Sequence, residues 1–372
     1  MDPIIAATHA DPYAYYAQLR AEAGLVFHQG LNLWVASSAA TVAAVLAHPD
    51  CHVRPSNEPV PKTIADGLAG AVFGRLMRMN EGERQRCPRS AIEPGLALID
   101  PNQVQALVSA RLITPDVEGL AKAMFHGPVC VVAALLGFFP AQARVISELT
   151  ADFVACLSPL SQPVQLEAAH AAAEQLRGYF IELLEEPDAQ SPLLSGIRQR
   201  FTSSDKEVLI ANLIGLCSQA YEASAGLIGN ALVALIRNPS LQRDLPLVED
   251  LIAEAQRFDP PVQNTRRFVA APCEIEGASL DPGDAILVLL ASANRDPQLN
   301  DNPDTFILDR PDRRSFTFGA GRHQCPGQAL ALSIASATLT QILAMKPGLE
   351  RLTWVYRPSL NGRIPLFSEA RV

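Results

Sequence analysis

The sequence predicts a mainly α-helical fold with a small β-sheet region, and three observations carry that prediction. Helical hydrophobic periods follow one another from residue 81 to about residue 237. Strand-like runs are few, short and confined to the N-terminal segment and the stretch after Phe258. The 29 prolines punctuate the chain throughout and do not gather in one tract, which suits many helices joined by ordered turns.

Residues 11–22 read as a first amphipathic helix. Short strands follow at 25–28 and 33–36 around a turn at 29–32, and residues 39–47 are helical. Residues 51–71 carry Pro55, Pro59 and Pro61 with little periodicity and read as loop. The helical region that follows is broken near Pro115, Pro140, 159–163 and 187–192. Its last helix is the longest: Ser203, Ser204 and Asp205 cap it, and Asn238-Pro239 stops it. A short helix is expected over 247–258, strands over 267–270, 273–275 and 285–291, and a final helix over 326–345. No internal repeat is visible, and the whole of 1–372 is read as a single domain.

Hydrophobic residues make up 48% of the chain and charged ones 19%, ample for a sizeable core. The net charge of −9 comes with no basic patch, which excludes nucleic acid as the expected partner. The N-terminus shows neither a basic n-region nor a long apolar h-region. No window of about 18 uninterrupted apolar residues is present, so the expectation is a soluble, cytoplasmic protein without a membrane role. Seven scattered cysteines, odd in number and without a CxxC pair, argue against a disulfide framework or a zinc site.

One cysteine stands apart. Residues 316–327 read Phe-Thr-Phe-Gly-Ala-Gly-Arg-His-Gln-Cys-Pro-Gly. Gly319 and Gly321 permit backbone conformations closed to other residues. Cys325 sits where the loop ends, and Pro326 suits a first helical position. A thiolate there is favoured by the helix dipole and free amides, as metal ligation requires.

This segment resembles the haem-binding loop of the cytochrome P450 family, with Phe318, Gly319, Gly321, His323, Cys325 and Gly327 all at the family spacing. Glu254-Ala255-Gln256-Arg257 is similar to the family's Glu-x-x-Arg helix, with Arg310 as a third member of a buried network. Residues 260–267 and 294–297 are family-like too, so the resemblance covers the chain from about residue 205 onward. It implies a cytochrome P450-like helical domain with a long central helix over haem b (iron protoporphyrin IX). Cys325 would be the iron ligand; Arg267 and His323 would hold propionates; Phe318, Gly319 and Gly327 would shape the cofactor loop. A further propionate partner is sought among Arg84, Arg86 and Arg89, with Arg89 or Arg86 favoured, although the family's His-x-x-x-Arg spacing is not cleanly met and Pro88 falls inside the helix or starts it.

The central helix departs from the family. Where relatives place an acid followed by a threonine to relay protons for O–O bond cleavage, this chain has Glu222, Ala223 and Ser224. One helical step is about 100°, so Ser224 replaces a hydroxyl at 223 only through a bulge or a water. Alternatively the substrate supplies the hydroxyl, or peroxide is the oxidant. Gln219, large for its position, is expected on the far side of the helix. The resemblance thus implies a monooxygenase acting on an apolar small molecule. A separate ferredoxin and ferredoxin reductase, or a similar donor, would supply electrons, docking near Arg313, Arg314 and Arg322. A peroxygenase or a non-enzymatic haem protein is the alternative. Phe73, Leu216, Ala220 and Val262 are expected at the substrate cavity.

Overall fold

The computed structural model describes residues 1–22, 24–186, 191–242 and 248–370. In chain order the regular elements are α1 (Tyr13–Ala21), β1 (Val26–His28), β2 (Leu33–Ala36), α2 (Ala39–Ala47), β3 (Cys51–His52), α3 (Leu68–Phe73), α4 (Glu83–Leu96), α5 (Pro101–Ser109) and α6 (Val117–Leu136). Then come α7 (Pro140–Phe153), α8 (Pro163–Glu185), α9 (Pro192–Arg200), α10 (Lys206–Arg237) and α11 (Val248–Phe258). The chain continues through β4 (Thr265–Val269), β5 (Cys273–Ile275), β6 (Ala278–Leu280), β7 (Ala285–Val288), α12 (Leu290–Asn294), α13 (Gln328–Ala344), β8 (Leu352–Tyr356) and β9 (Pro365–Glu369). The expected break at Pro187 and the start of a helix at Leu247 lie outside the described residues.

The 32-residue α10 is the organising element. At 1.5 Å per residue it spans ~48 Å. The Asp205 carboxylate accepts from the Glu207 N–H at its start, satisfying an amide with no intrahelical partner. Its buried residues, from Leu209 to Leu235, fall on nearly every face, because α6, α7, α8, α11 and α13 surround it. Helix α6 is long and apolar enough to cross a membrane, but 78% of its apolar window is buried against the rest of the protein. It is a core helix, packed on α10 and α7.

The main sheet runs β1-β2-β7-β4-β3 and joins the first fifty residues to the C-terminal third, since β2 pairs in parallel with β7. Strand β4 lies antiparallel to β7, with Arg267 opposite Ile286, and so aims Arg267 from the sheet.

Several boundaries differ from expectation. The apolar run 285–291 is strand only to Val288; the remainder is the start of α12, because a short fully buried run carries no period to separate strand from helix. Helix α4 begins after Gly82, which has φ +60°, and contains both Pro88 and Pro94. Each proline leaves a carbonyl four residues back without its usual donor. Pro326 lies in a turn and α13 starts two residues later, at Gln328. Residues 51–71, read as loop, contribute β3 and the start of α3, and the hairpin β8–β9 went unread.

Candidate haem-thiolate site

The Cys325 loop is held by its own backbone. The Cys325 N–H donates to the Phe318 carbonyl (2.8 Å) and the Gly319 N–H to the Phe316 carbonyl (2.8 Å). Gly319 (φ +71°) and Gly321 (φ +65°) occupy the left-handed region, and a Cβ on Gly321 would meet the Leu46 carbonyl oxygen at 3.1 Å. Burial pushes the Cys325 thiol up; the Gly327 N–H bonded to it, with Arg89 and Arg78 nearby, pulls it back toward the thiolate. The expected dipole contribution is weaker than the sequence suggested, because the helix starts at residue 328. Part of Cys325 remains accessible.

Behind the loop, Glu254 and Arg257 are completely buried. The Glu254 carboxylate accepts from Arg257 (2.7 and 3.0 Å), from Arg310 (3.1 and 3.3 Å) and from the Ile307 N–H (3.1 Å). Burial alone would raise the Glu254 pKa, but the hydrogen bonds from Arg257 and Arg310 more than offset it and hold it below the usual carboxylate value. Arg313 joins as a third guanidinium, with Nε 3.0 Å from Glu254 Oε2. It is therefore part of this network and not the exposed docking residue expected of it. Arg322 is similarly committed: it bonds Glu81 (2.9 Å) and the carbonyls of His48, Pro49 and Cys51. Of the three arginines named for docking, Arg314 is the one that lies exposed.

The sequence-based candidates for propionate contacts separate clearly. Arg84 and Arg86 are exposed on α4. Arg89 turns to the Cys325 loop: it donates to the Gln324 carbonyl (2.6 Å) and pairs with Glu93 (2.8 Å), and Gln85 beside it donates to the Arg322 carbonyl (2.8 Å). His323 Nε2 lies 3.0 Å from Glu81 Oε2. Glu81, which the sequence reading passed over, also accepts from the Val53 N–H (2.9 Å). Burial would raise its pKa, yet His323, Val53 and Arg322 together lower it to about 2.

Arg267 is different. Its residue is 5% exposed, its bonds go only to Thr265 and the Arg266 carbonyl, and no carboxylate among the described residues pairs with it. Burial lowers its pKa to about 10. A buried cation without a counter-ion is costly, and an acid group supplied by a cofactor removes that cost.

On α10, Leu216, Gln219, Ala220 and Ala223 are partly open while Gly215, Cys217, Ser218, Tyr221 and Ser224 are buried. The open residues form one stripe at helical spacing. Ser224 is 4% exposed and off that stripe, and α10 is regular α-helix through this point, so the bulge that would bring its hydroxyl round is not there. Gln219 lies on the stripe, not on the far side, with its amide folded back on the Gly215 carbonyl (2.9 Å). Glu222 Oε1 is 3.0 Å from Arg357. The accessible cysteine, the tight glycine loop, the unpaired Arg267 and the open stripe on α10 together fit a haem.

A cleft of about 360 Å³ beside Leu19, Phe27 and His28 involves none of these residues.

The cytochrome P450 family model matches residues 239–345. Vitamin D(3) 25-hydroxylase of Pseudonocardia autotrophica is 32% identical over 319 residues, covering 81% of this chain and 73% of that protein. Cytochrome P450 monooxygenase PikC of Streptomyces venezuelae is 28% identical, over 95% of this chain and 89% of its own length. Against three Xylella fastidiosa proteins carrying the cytochrome P450 133B name, the match spans 66%, 55% and 65% of their lengths. Among solved structures, P450BioI, crystallised with an acyl carrier protein ligated to hexadec-9Z-enoic acid, superposes with a TM-score of 0.81 at 22% identity, over 96% of this chain and 97% of that one. CalO2 gives 0.79 at 21% identity, over 100% and 98%. The mainly helical architecture around α10 is thus the cytochrome P450 fold, and the chain belongs to the cytochrome P450 family.

Proposed function

We propose that this chain is a haem-thiolate monooxygenase that inserts one oxygen atom into an apolar small organic molecule. A ferredoxin or similar separate donor supplies the two electrons. The observation that carries this reading is the loop around Cys325: an accessible sulfur, amide-bonded at Gly327, on a segment braced by Arg89 and Gln85. Haem b bound there would supply dioxygen activation, with Cys325 as its sulfur ligand. Arg267 would meet a propionate. Phe318 and the two glycines keep the loop flat and close, and Glu81 fixes the His323 ring and the Arg322 guanidinium at its edge.

Protons must reach the oxygen side without a hydroxyl at 223. Glu222 is partly exposed and lies 3.0 Å from Arg357, so it stands between solvent and the open stripe as the acid of such a route. Ser224 contributes no hydroxyl to the stripe. A peroxide-driven reaction is the second reading, favoured by Ala223 on the open face, because peroxide brings its own protons. The cytoplasm remains the proposed location.

The reduced protein is exposed to carbon monoxide, and a strongly red-shifted Soret band is expected. Its absence in correctly loaded protein refutes the thiolate assignment. Turnover with ferredoxin, its reductase and reduced nicotinamide, set against turnover with peroxide alone, then separates the two readings. Failure of both leaves a non-enzymatic haem protein.

A further inference from the structure

Arg78 lies in the short turn Met77–Met79 between α3 and α4, and the turn is fixed to the central helix. The Met77 N–H donates to Asn212 Oδ1 (2.7 Å), and Asn212 Nδ2 donates to the Arg75 carbonyl (2.9 Å). Leu76 packs on Gly215 so closely that a Cβ there would stand 2.9 Å from Leu76 Cδ2. Asn80 closes the turn on the carbonyls of Gly74 and Leu76 (2.9 and 2.8 Å). The backbone carrying Arg78 is therefore locked beside the stretch of α10 where the open stripe begins.

Arg78 Nε is buried with no hydrogen-bond partner, and no carboxylate among the described residues pairs with Arg78. Part of the side chain stays accessible while Nε is enclosed, as befits a group on the wall of an internal space. Burial holds its pKa below the ordinary arginine value. Its titratable neighbours are Cys156, Glu222 and Cys325, from the segment after α7, the central helix and the cysteine loop. Of these, Glu222 is already taken by Arg357 at 3.0 Å.

Arg267 answers to another set: Glu81, Arg322 and Cys51. The two unpaired arginines thus have no neighbour in common: Arg267 faces Glu81, Arg322 and Cys51, whereas Arg78 faces Cys156, Glu222 and Cys325. Haem b carries two acid groups, and both are accounted for at the first arginine's edge, where Arg267 and His323 share Glu81 as a neighbour. The second calls for another anion, and a guanidinium recognises a carboxylate through two parallel hydrogen bonds.

We propose that Arg78 anchors a carboxylate group of the substrate, whose apolar body lies along Leu216, Ala220 and Ala223. The substrate class is then an amphiphilic organic acid, held by its charged end so that a defined part of the apolar body faces the reacting centre. This rests on the monooxygenase reading above and narrows it.

The test uses the haem-loaded protein and three acid and methyl ester pairs: octanoic, dodecanoic and 4-phenylbutanoic. Substrate-induced shifts of the Soret band give the dissociation constants. At least one acid should bind ten or more times tighter than its ester. In Arg78→Met that acid should weaken by about 10²-fold while the ester is unchanged, and Arg78→Lys should recover part of the difference. Equal affinities for every pair, or an acid preference that survives Arg78→Met, overturn the proposal. So does a lowered haem content in Arg78→Met, which would assign the arginine to the cofactor. Absence of the red-shifted carbon monoxide band in the wild type overturns the monooxygenase reading and this proposal together, whereas its presence with no acid preference overturns the proposal alone.

Discussion

Replacing Glu254 by glutamine removes the single carboxylate that faces Arg257, Arg310 and Arg313. The side chains of Glu254 and Arg257 are 0% exposed, Arg310 is 3% and Arg313 16%, so water can do little to screen what remains. Removing one partner of a buried pair costs about 3–5 kcal/mol, largely from the charge left behind. An unfolding entropy of about 2.1 cal/mol/K per residue over 372 residues gives ~0.8 kcal/mol/K, and hence a Tm lower by ~4–6 °C. Guanidinium and thermal unfolding followed by far-UV circular dichroism measure both quantities. The Glu254 pKa is lowered in the folded protein, so its contribution is present above the ordinary carboxylate pKa and disappears as pH falls through the folded value. The difference between wild type and Glu254→Gln should therefore shrink in acid. A variant within about 1 kcal/mol of wild type at neutral pH, well below the cost of an uncompensated buried charge, would refute the reasoning.

Other outcomes follow from the same geometry. Glu81 has a folded pKa of about 2 against an ordinary 4.5, so its stabilisation is complete above pH 4.5 and lost as pH falls toward 2; Glu81→Gln should flatten that part of a stability-versus-pH curve measured by denaturant titration. Ser224→Ala should leave turnover within about twofold, since losing a working proton donor costs ~10²–10⁴-fold, and a large loss would place the hydroxyl back in the relay. Ala223→Thr puts a hydroxyl on the open stripe, and should raise product formed per reduced nicotinamide consumed while lowering peroxide release. Gly226→Ala brings a Cβ within 2.7 Å of Pro261 Cβ and 3.0 Å of the Arg363 carbonyl oxygen; overpacking of this kind costs about 1–3 kcal/mol, readable as a lower denaturation midpoint.

The cysteine side of the site was legible because its chemistry is local. Glycines at fixed offsets from Cys325, and a Glu-x-x-Arg pair on one helix face, are spelled out within a few residues. Contacts made across the chain were not. Glu81 is written beside three arginines and drew no notice, since its partners Arg322 and His323 come some 240 residues later. Arg78 left little trace in the sequence, since Arg75 before it and Asn80 and Glu81 after it make it read as ordinary polar surface. The ion pairs of Arg313 and Arg322 were hidden for the same reason: a basic residue near a site reads as surface until its acid is found. The helical half was well placed by periodicity, and Ala39–Ala47 was read to the residue. At α4 the sequence left open whether Pro88 starts the helix or lies inside it, and packing carries the helix through both Pro88 and Pro94.

Arg363 donates to the carbonyls of Ala7, His9 and Ala10, bonds that join positions 353–356 residues apart, and its Nε lies 2.6 Å from Asp259. Contacts of such span make folding slow, because a long loop must close before they form. On the ribosome the segment around Ala7 emerges some 356 residues before its partner Arg363. Until residues 285–288 are made, β2 likewise lacks β7 and presents an unpaired strand edge. The same delay keeps the region between them open until Arg363 is made, leaving a period in which a bulky cofactor can enter before these segments are tied together.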